Sequence, residues 1–384
     1  MYYFYARIIS SIYNNIAKVY HYIGKNADAL EWYQKALDIQ EKGLGTEYPS
    51  TADIYYNIAN VYNNQNDYDK ALEFYQKALN IRENLLGKVH QDNVTTYDKI
   101  AGIYYSQGKY ADAMELYQKI SAIVENVLGN KHPHTAITYY NIALVCNDQS
   151  KYSDALEWYQ KALYIFENVL GNKHQHTAKS YLGIALVYYN QGDYEKALEL
   201  FQKTLPIFEK VLGKDHMCTA TTYKKIADIY YRQGQYADAL ELYQKASAIV
   251  ENVMGNKHLH TAITYYNIAL VYNNQGKYAD ALEWFQKASD IFENVLGKEH
   301  PDTAKSYSGI AAVYNNQNDY DKALEWNCKS YSIWLNRLGD THPDTMAVKE
   351  NMEFAYSKTG HREPFAQWLQ REINKEPDHE TENM

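Results

Sequence analysis

The chain of 384 residues is poor in cysteine, with three, and in proline, with seven. Cys146, Cys218 and Cys328 fall at unrelated places in the pattern described below. They suggest no disulfide framework, so an intracellular, reducing setting is the simplest expectation. Long apolar runs are missing as well. A membrane helix needs about 18 consecutive apolar residues, and no stretch approaches that, so membrane insertion is not expected. Basic charge is in deficit: 38 Lys and Arg stand against 47 Asp and Glu, for a net charge of −9. That balance argues against a nucleic-acid phosphate backbone as the main partner. The opening MYYFYARIISSIYNN has neither the basic region nor the small-residue cleavage site of a secretion signal. A soluble, cytoplasmic protein is expected. Catalytic signatures are also lacking, with no Gly-rich phosphate loop, no H-E-x-x-H and no nucleophile motif. The chain is expected to be no enzyme and to need no cofactor.

What is present is repetition. The column Trp32, Phe74, Leu116, Trp158, Leu200, Leu242, Trp284, Trp326, Trp368 recurs nine times at 42 residues, and Gly45, Gly87, Gly129, Gly171, Gly213, Gly255, Gly297, Gly339 keep the same step. A fixed period of this length marks a solenoid, in which each unit buries its apolar face only against its neighbours. Within one repeat, Tyr55, Ile58, Ala59 and Tyr62 form an i, i+3, i+4, i+7 stripe, which predicts an amphipathic helix A over about 51–65. Asn66-Asp67 breaks the pattern, and helix B follows over about 68–86. Gly87 is placed to end it in a left-handed C′ conformation, and a Thr or Ser before the next helix A reads as its N-cap. Small residues at Ala59, Ala71 and Ala78 recur because close helix crossings leave no room for longer ones. Pro206, inside helix B of the fifth repeat, is expected to kink it, and Pro364 sits where the last helix B should start. Tyrosine is abundant, at 41 residues, and suits seams where the ring packs and the hydroxyl reaches water.

The columns Tyr55, Ile58-Ala59, Tyr62, Ala71, Tyr75 and Ala78, with their equivalents, resemble the tetratricopeptide repeat. The resemblance covers residues 9 to 375. It implies an all-α fold, an α-solenoid built as a right-handed superhelix of antiparallel helix pairs. The repeats then fall at 9–50, 51–92, 93–134, 135–176, 177–218, 219–260, 261–302 and 303–344. A degenerate closing repeat covers 345–375, with an extension at 1–8 and a polar tail, read as disordered, at 376–384. The usual unit is 34 residues. The longer helix B and the linker LGKEHPDTA at Leu296–Ala304 resemble the repeats of kinesin light chains and nephrocystin-3-like proteins. The heptad coiled coil of kinesin light chains is missing, so that likeness implies a partner-binding repeat domain and no motor subunit.

A second period of three repeats overlies the first. Thr95–Val145 and Thr221–Val271 differ at eight of 51 positions, as expected of a duplicated block. In tetratricopeptide repeats a concave groove is lined by positions 2, 5, 9, 12 and 13 of helix A. Three of the eight differences lie there: Asp98 against Lys224, Gly102 against Asp228, and Ser106 against Arg232. A groove that diversifies over a constant scaffold would give this pattern.

Candidate site residues follow from the same positions. Asn57, Asn60, Asn63, Asn64, Asn141, Asn147, Asn190, Asn267, Asn273, Asn274, Asn315 and Asn316 crowd helix A although Asn is a mediocre helix former. Carboxamides both donate and accept, so a ladder of them could pair with the backbone of an extended peptide. Kinesin light chains are thought to use such groove asparagines. Lys224, Lys225 and Arg232, with Lys179 and Lys305, suggest a basic patch for an acidic partner near the sixth repeat, partly cancelled by Asp228. Asp98 lies in the groove columns, and Tyr56, Tyr140 and Tyr266 either anchor an apolar ligand residue or pack across repeats. The column His90, His132, His174, His216, His258, His300, His342 reads as structural. The pairs His132/His134, His174/His176 and His258/His260 would chelate zinc only on extended backbone, and no metal is expected. Other acidic residues read as solvated faces. The expected role is a scaffold that binds a peptide or partner segment in the groove. The alternatives are a self-assembling solenoid, with Tyr2, Tyr3, Phe4 and Ile8 at its N-terminal end, and the repeat portion of a larger signalling protein.

Overall fold

The computed structural model describes residues 2–43 and 45–373, with side chains from Tyr5 onward. The tail at 376–384 and the side chains of Tyr2, Tyr3 and Phe4 lie outside the described residues. The chain divides into two compact halves, Met1–Asp193 and Tyr194–Met384. The first holds α1 (Tyr2–Tyr22), α2 (Asn26–Gly43), α3 (Pro49–Asn64), α4 (Tyr68–Leu86), α5 (Gln91–Ser106), α6 (Tyr110–Leu128), α7 (Pro133–Asp148), α8 (Tyr152–Leu170) and α9 (Gln175–Gln191). The second holds α10 (Tyr194–Val211), α11 (Met217–Arg232), α12 (Tyr236–Met254), α13 (Leu259–Asn274), α14 (Tyr278–Leu296), α15 (Pro301–Asn316), α16 (Tyr320–Leu338), α17 (Pro343–Lys358) and α18 (Phe365–Ile373). Among the described residues the fold is all helical, and each half is a solenoid of sequential helix pairs.

The alanine columns sit where the helices cross. Ala59, Ala71, Ala78, Ala101, Ala113, Ala143 and Ala155 have no exposed surface, and Ala227, Ala239, Ala269 and Ala281 match them in the second half. Around them pack Tyr75, Tyr159, Phe201 and Phe285 from helix B and Ile58, Ile103, Ile226 and Ile268 from helix A. The turn from A to B passes through one left-handed residue, such as Gly108 at φ +71° or Asn66 at φ +60°.

Several local expectations are revised. Helix A begins two residues earlier than the stripe suggests, at Pro49 in the second repeat. The extension at 1–8 is continuous with α1, which runs from Tyr2. From the third repeat on, the N-cap is the histidine rather than Thr or Ser, whereas Tyr48 stands there uncapped in the second. Nδ1 of His132, His174, His258 and His300 accepts the backbone N–H two residues on at 3.1–3.2 Å. An imidazole nitrogen here does what a capping carboxylate does, satisfying one of the orphan donors of the first turn. The threonine lies inside that turn and closes the loop behind it: Oγ1 of Thr135, Thr177 and Thr261 donates to the carbonyl of Gly129, Gly171 and Gly255 at 2.8 Å. In the third repeat Asn93 takes that place, its Nδ2 donating to Gly87 O at 2.8 Å. The helix-ending glycine has positive φ but is not left-handed helical, since Gly87 lies at φ +85°, ψ 158°. The extended ψ carries the chain straight out of helix B toward the histidine. Pro206 lies within α10 without interrupting it, and Pro364 immediately precedes α18.

Two helix-A glycines have opposite surroundings. A Cβ on Gly309 would lie 2.5 Å from the Phe285 ring, whereas one on Gly102 would meet nothing within 4 Å. Gly309→Ala should therefore cost about 1–3 kcal/mol through overpacking. Gly102→Ala should stabilise by about 0.5–1 kcal/mol by removing a flexible residue from a helix. Urea unfolding of the two variants beside the parent measures both.

Candidate binding face on the A helices

The polar residues singled out in the sequence stand on helix A, and within each half many join one helix A to the next. The links span 43 residues, one step beyond the repeat. Asn57 Nδ2 donates to Asn14 Oδ1 at 3.0 Å and Asn141 Nδ2 to Asp98 Oδ1 at 3.2 Å. Nearer the helix ends, Asn64 lies 3.2 Å from His21 Nε2, and Tyr105 donates to Asp148. Asn190 donates to Asn147 at 3.3 Å, Asn274 to Tyr231 OH at 2.7 Å, and Asn316 to Asn273 at 3.0 Å. The carboxamides thus form rungs between neighbouring helices, each keeping further donors or acceptors for a ligand. Asn60 accepts from Tyr75 OH at 2.6 Å. Asn315 Oδ1 is buried without a partner, and Asn267 is half-buried on α13.

Tyr56, Tyr140 and Tyr266 pack within their own repeats. Tyr56 meets Tyr75, Tyr140 meets Tyr159 and Tyr266 meets Phe285, all edge to face with centroids 5.3–5.5 Å apart. Lys305 Nζ lies 5.1 Å over the Tyr266 ring.

The basic patch is partly assembled. Lys224 and Lys225 are half-buried on α11, and Lys305 is exposed on α15. Lys225 pairs with Asp228 at 3.6 Å, and Asp228 also accepts from Tyr243 OH at 2.7 Å. Burial holds the Lys224 ammonium below its ordinary range, with the charges of Lys225 and Lys305 acting in the same sense and Asp228 against it. Arg232 is turned toward Tyr194, its guanidinium 5.4 Å from the ring centroid. Lys179 lies on α9 in the other half.

On the same face of the first half is a polar pocket of about 350 Å³ lined from α3 to α7, by Asn63, Asp98, Lys99, Gly102, Ser106, Tyr117 and Asn141 among others. Burial pushes the Asp98 carboxyl above its usual range, against the pull of Lys99 and of the Asn141 hydrogen bond.

The histidine pairs are stacked, with ring centroids 5.2–5.5 Å apart. The second member already lies in the helix, so the extended backbone a chelating pair needs is absent. Burial holds His176 and His260 below the ordinary imidazole range, the neighbouring His174 and His258 adding to it. Among the described residues no group of three or more His, Cys, Asp or Glu side chains is placed to hold a metal, and no helix is long and apolar enough to cross a membrane.

One column read as solvated acid is a structural latch. Tyr55 OH donates to Glu41 at 2.6 Å and Tyr307 OH to Glu293 at 2.9 Å. The pairs Tyr97–Glu83, Tyr181–Glu167 and Tyr223–Glu209 repeat the contact. Tyr139 and Tyr265 stand beside Glu125 and Glu251 in the same register. Each ties the last turns of a helix B to the following helix A. Burial, reinforced by the carboxylate, pushes the Tyr139, Tyr223 and Tyr265 phenols up to about 12. The signal was present in the sequence as two columns, Glu and Tyr, offset by 14 residues at seven successive junctions and replaced by Leu335 and Lys349 at the eighth.

Stacked helix pairs with alanine crossings and a constant 42-residue step define an α-solenoid repeat protein. A tetratricopeptide repeat model matches residues 8–84, 92–168, 136–203, 176–252 and 260–336, and a second one matches 224–294. The chain belongs to the tetratricopeptide repeat family. It is similar to a signal transduction ATPase of Pyrococcus horikoshii that has a tetratricopeptide repeat sensor: 17% identity, TM-score 0.60, over 90% of this chain and 50% of that one. Aspartyl phosphate phosphatase F of Bacillus subtilis is 17% identical at TM-score 0.57, over 82% of this chain and 76% of that one. A Podosopora anserina chain described as a kinesin light chain with nearly identical TPR-like repeats is 22% identical at TM-score 0.47, over 54% of this chain and 98% of that one. At such identities the likeness is one of fold. A sequence search of curated proteins found no match.

The latch should be measurable. Tyr307→Phe should lower unfolding stability by about 1–2 kcal/mol, because it strips a carboxylate of a partly buried donor. A double-mutant cycle with Glu293→Gln should return a coupling of about 1 kcal/mol.

Proposed function

We propose that this protein is a non-enzymatic scaffold that holds an extended peptide, or a segment of a partner protein, along its A-helix faces. The observation that carries the reading is the ordered polar surface of those helices. Carboxamides at Asn57, Asn64, Asn141, Asn190, Asn274 and Asn316 are fixed by rungs to their neighbours. Pre-positioned amides lose less freedom on binding than mobile ones, and an extended peptide offers one donor and one acceptor per residue to meet them. The fold supports the reading, since tetratricopeptide solenoids present long surfaces. A cytoplasmic location belongs to the same proposal.

The second half favours an acidic segment. Lys224 and Lys305 face the same surface, and the partly desolvated Lys224 ammonium gains most from a carboxylate brought beside it. Lys224→Glu combined with Lys305→Glu should weaken capture of Glu-rich peptides by about tenfold, roughly 1.4 kcal/mol, in a fluorescence-anisotropy titration. Equal affinity of parent and variant would remove this surface from the site.

Self-assembly is a second reading, favoured by a separate observation. Tyr5, Ile8, Ile9, Ile12 and Val19 are exposed on α1, at the spacing of one helix face. Multi-angle light scattering should show a dimer at tens of micromolar that Ile8→Glu/Ile12→Glu returns to monomer. A monomer at every concentration would end this reading.

A further inference from the structure

In several repeats, position 9 of helix A carries a side chain that meets the buried aromatic of helix B, as Leu270 does in the cluster around Phe285. Asn60 and Asp228 each accept the hydroxyl proton of that aromatic, from Tyr75 and Tyr243. Leu144, Leu186 and Leu270 fill the place in other repeats. In the third repeat the residue is Gly102, and nothing lies within 4 Å of where its Cβ would be. The missing side chain opens the 350 Å³ polar pocket. Tyr117 lines it, and none of the hydrogen bonds among the described residues takes up its hydroxyl. Asp98 stands beside it with one oxygen engaged by Asn141 at 3.2 Å and the other accepting from none of the described groups. The pocket therefore joins a half-satisfied carboxylate, a phenol, and the carboxamides of Asn63 and Asn141 around an open space with ample room for an amino-acid side chain.

We propose that the Gly102 pocket is a subsite for a basic group, the ammonium or guanidinium of a Lys or Arg side chain on the bound segment. A cation with several N–H donors matches the acceptors gathered here: the open carboxylate oxygen, the carboxamide oxygens, and the phenol and Ser106 oxygens, with the exposed Lys99 as the one cationic neighbour in the lining. Burial disfavours the Asp98 carboxylate more than Lys99 and Asn141 favour it, and an arriving cation relieves that cost by pairing with it. Lys99 also lines the pocket and its charge acts on Asp98, but its side chain is exposed, so solvent weakens its repulsion of an arriving cation. The duplicated block carries Lys224, Asp228 and Arg232 at the corresponding positions, so the same register in the second half has the opposite preference. That the basic group belongs to a peptide rests on the function proposed above; the pocket itself does not.

The test separates the two. n-Butylammonium and n-propylguanidinium are titrated into the full chain, with n-butanol as the uncharged control, while the Gly102 and Ser106 amide signals are followed by NMR. Saturable shifts with both cations but not with n-butanol are expected. Asp98→Asn, which keeps an acceptor for Asn141, should weaken them at least tenfold. Gly102→Leu, a residue this chain already carries at the equivalent Leu144 and Leu270, should abolish them. Shifts equal for n-butanol, or unchanged in Asp98→Asn, would overturn the proposal. Pentapeptides with a central Lys or Arg, compared with norleucine, form the second arm. A basic preference lost in both variants supports a peptide ligand. Cation binding without that preference overturns the peptide assignment while leaving the cation pocket standing.

Discussion

A pair of helices cannot enclose the apolar stripes of both, so every repeat here depends on the one beside it. Apolar burial supplies most of the driving force, and the alanines at the crossings let the backbones approach closely enough for rings such as Tyr75 and Phe285 to lose all contact with water. Close approach then imposes a second demand. Backbone and side-chain polar groups caught in the seam must find partners there. The phenol–carboxylate latch, the Thr–Gly bond and the capping histidine meet that demand, each once per junction in most repeats. Apolar contact sets the strength of the junction and these directional bonds set its register.

The A-helix face inherits its character from this arrangement. Because seam and core are satisfied on one side of each helix, the other side is free to carry polar residues. The rungs at 43-residue spacing hold those residues in fixed orientation. Chemistry can then differ from one copy to the next without disturbing the stack. Gly102 is the extreme instance: a side chain is absent, a pocket appears, and the surrounding helices keep their places.

The period, the helix extents and the alanine columns were legible in the sequence because each is a statement about a residue's own preference, repeated many times over. Helix B of the second repeat was expected at about 68–86 and is found at Tyr68–Leu86. What stayed hidden were relationships. The glutamates of the latch and the acids of a solvated face look alike until a tyrosine 14 residues on is seen to bond them. The capping histidine lost out to threonine because threonine is the commoner cap. Only the positive φ and extended ψ of Gly87 and its equivalents bring the histidine to the helix start. In the same way, an asparagine ladder suggested a ligand before it suggested a neighbour, since an amide one residue off the repeat has no mark in its own column.

The junction chemistry also bears on how such a chain changes over generations. Nearly every helix B in the array ends with the same Glu and Gly, and nearly every helix A opens with the same His and Thr, or Asn93 in its stead. Any copy that keeps these residues can therefore follow any other with its bonds intact. Misaligned recombination that inserts or removes whole multiples of 42 residues would yield a chain that still folds, longer or shorter by complete units. The near-identical blocks at Thr95–Val145 and Thr221–Val271 are what one such event would leave behind. A seam that accepts every neighbour makes array length a heritable variable, and lets a new surface arise from an old one in a single genetic step.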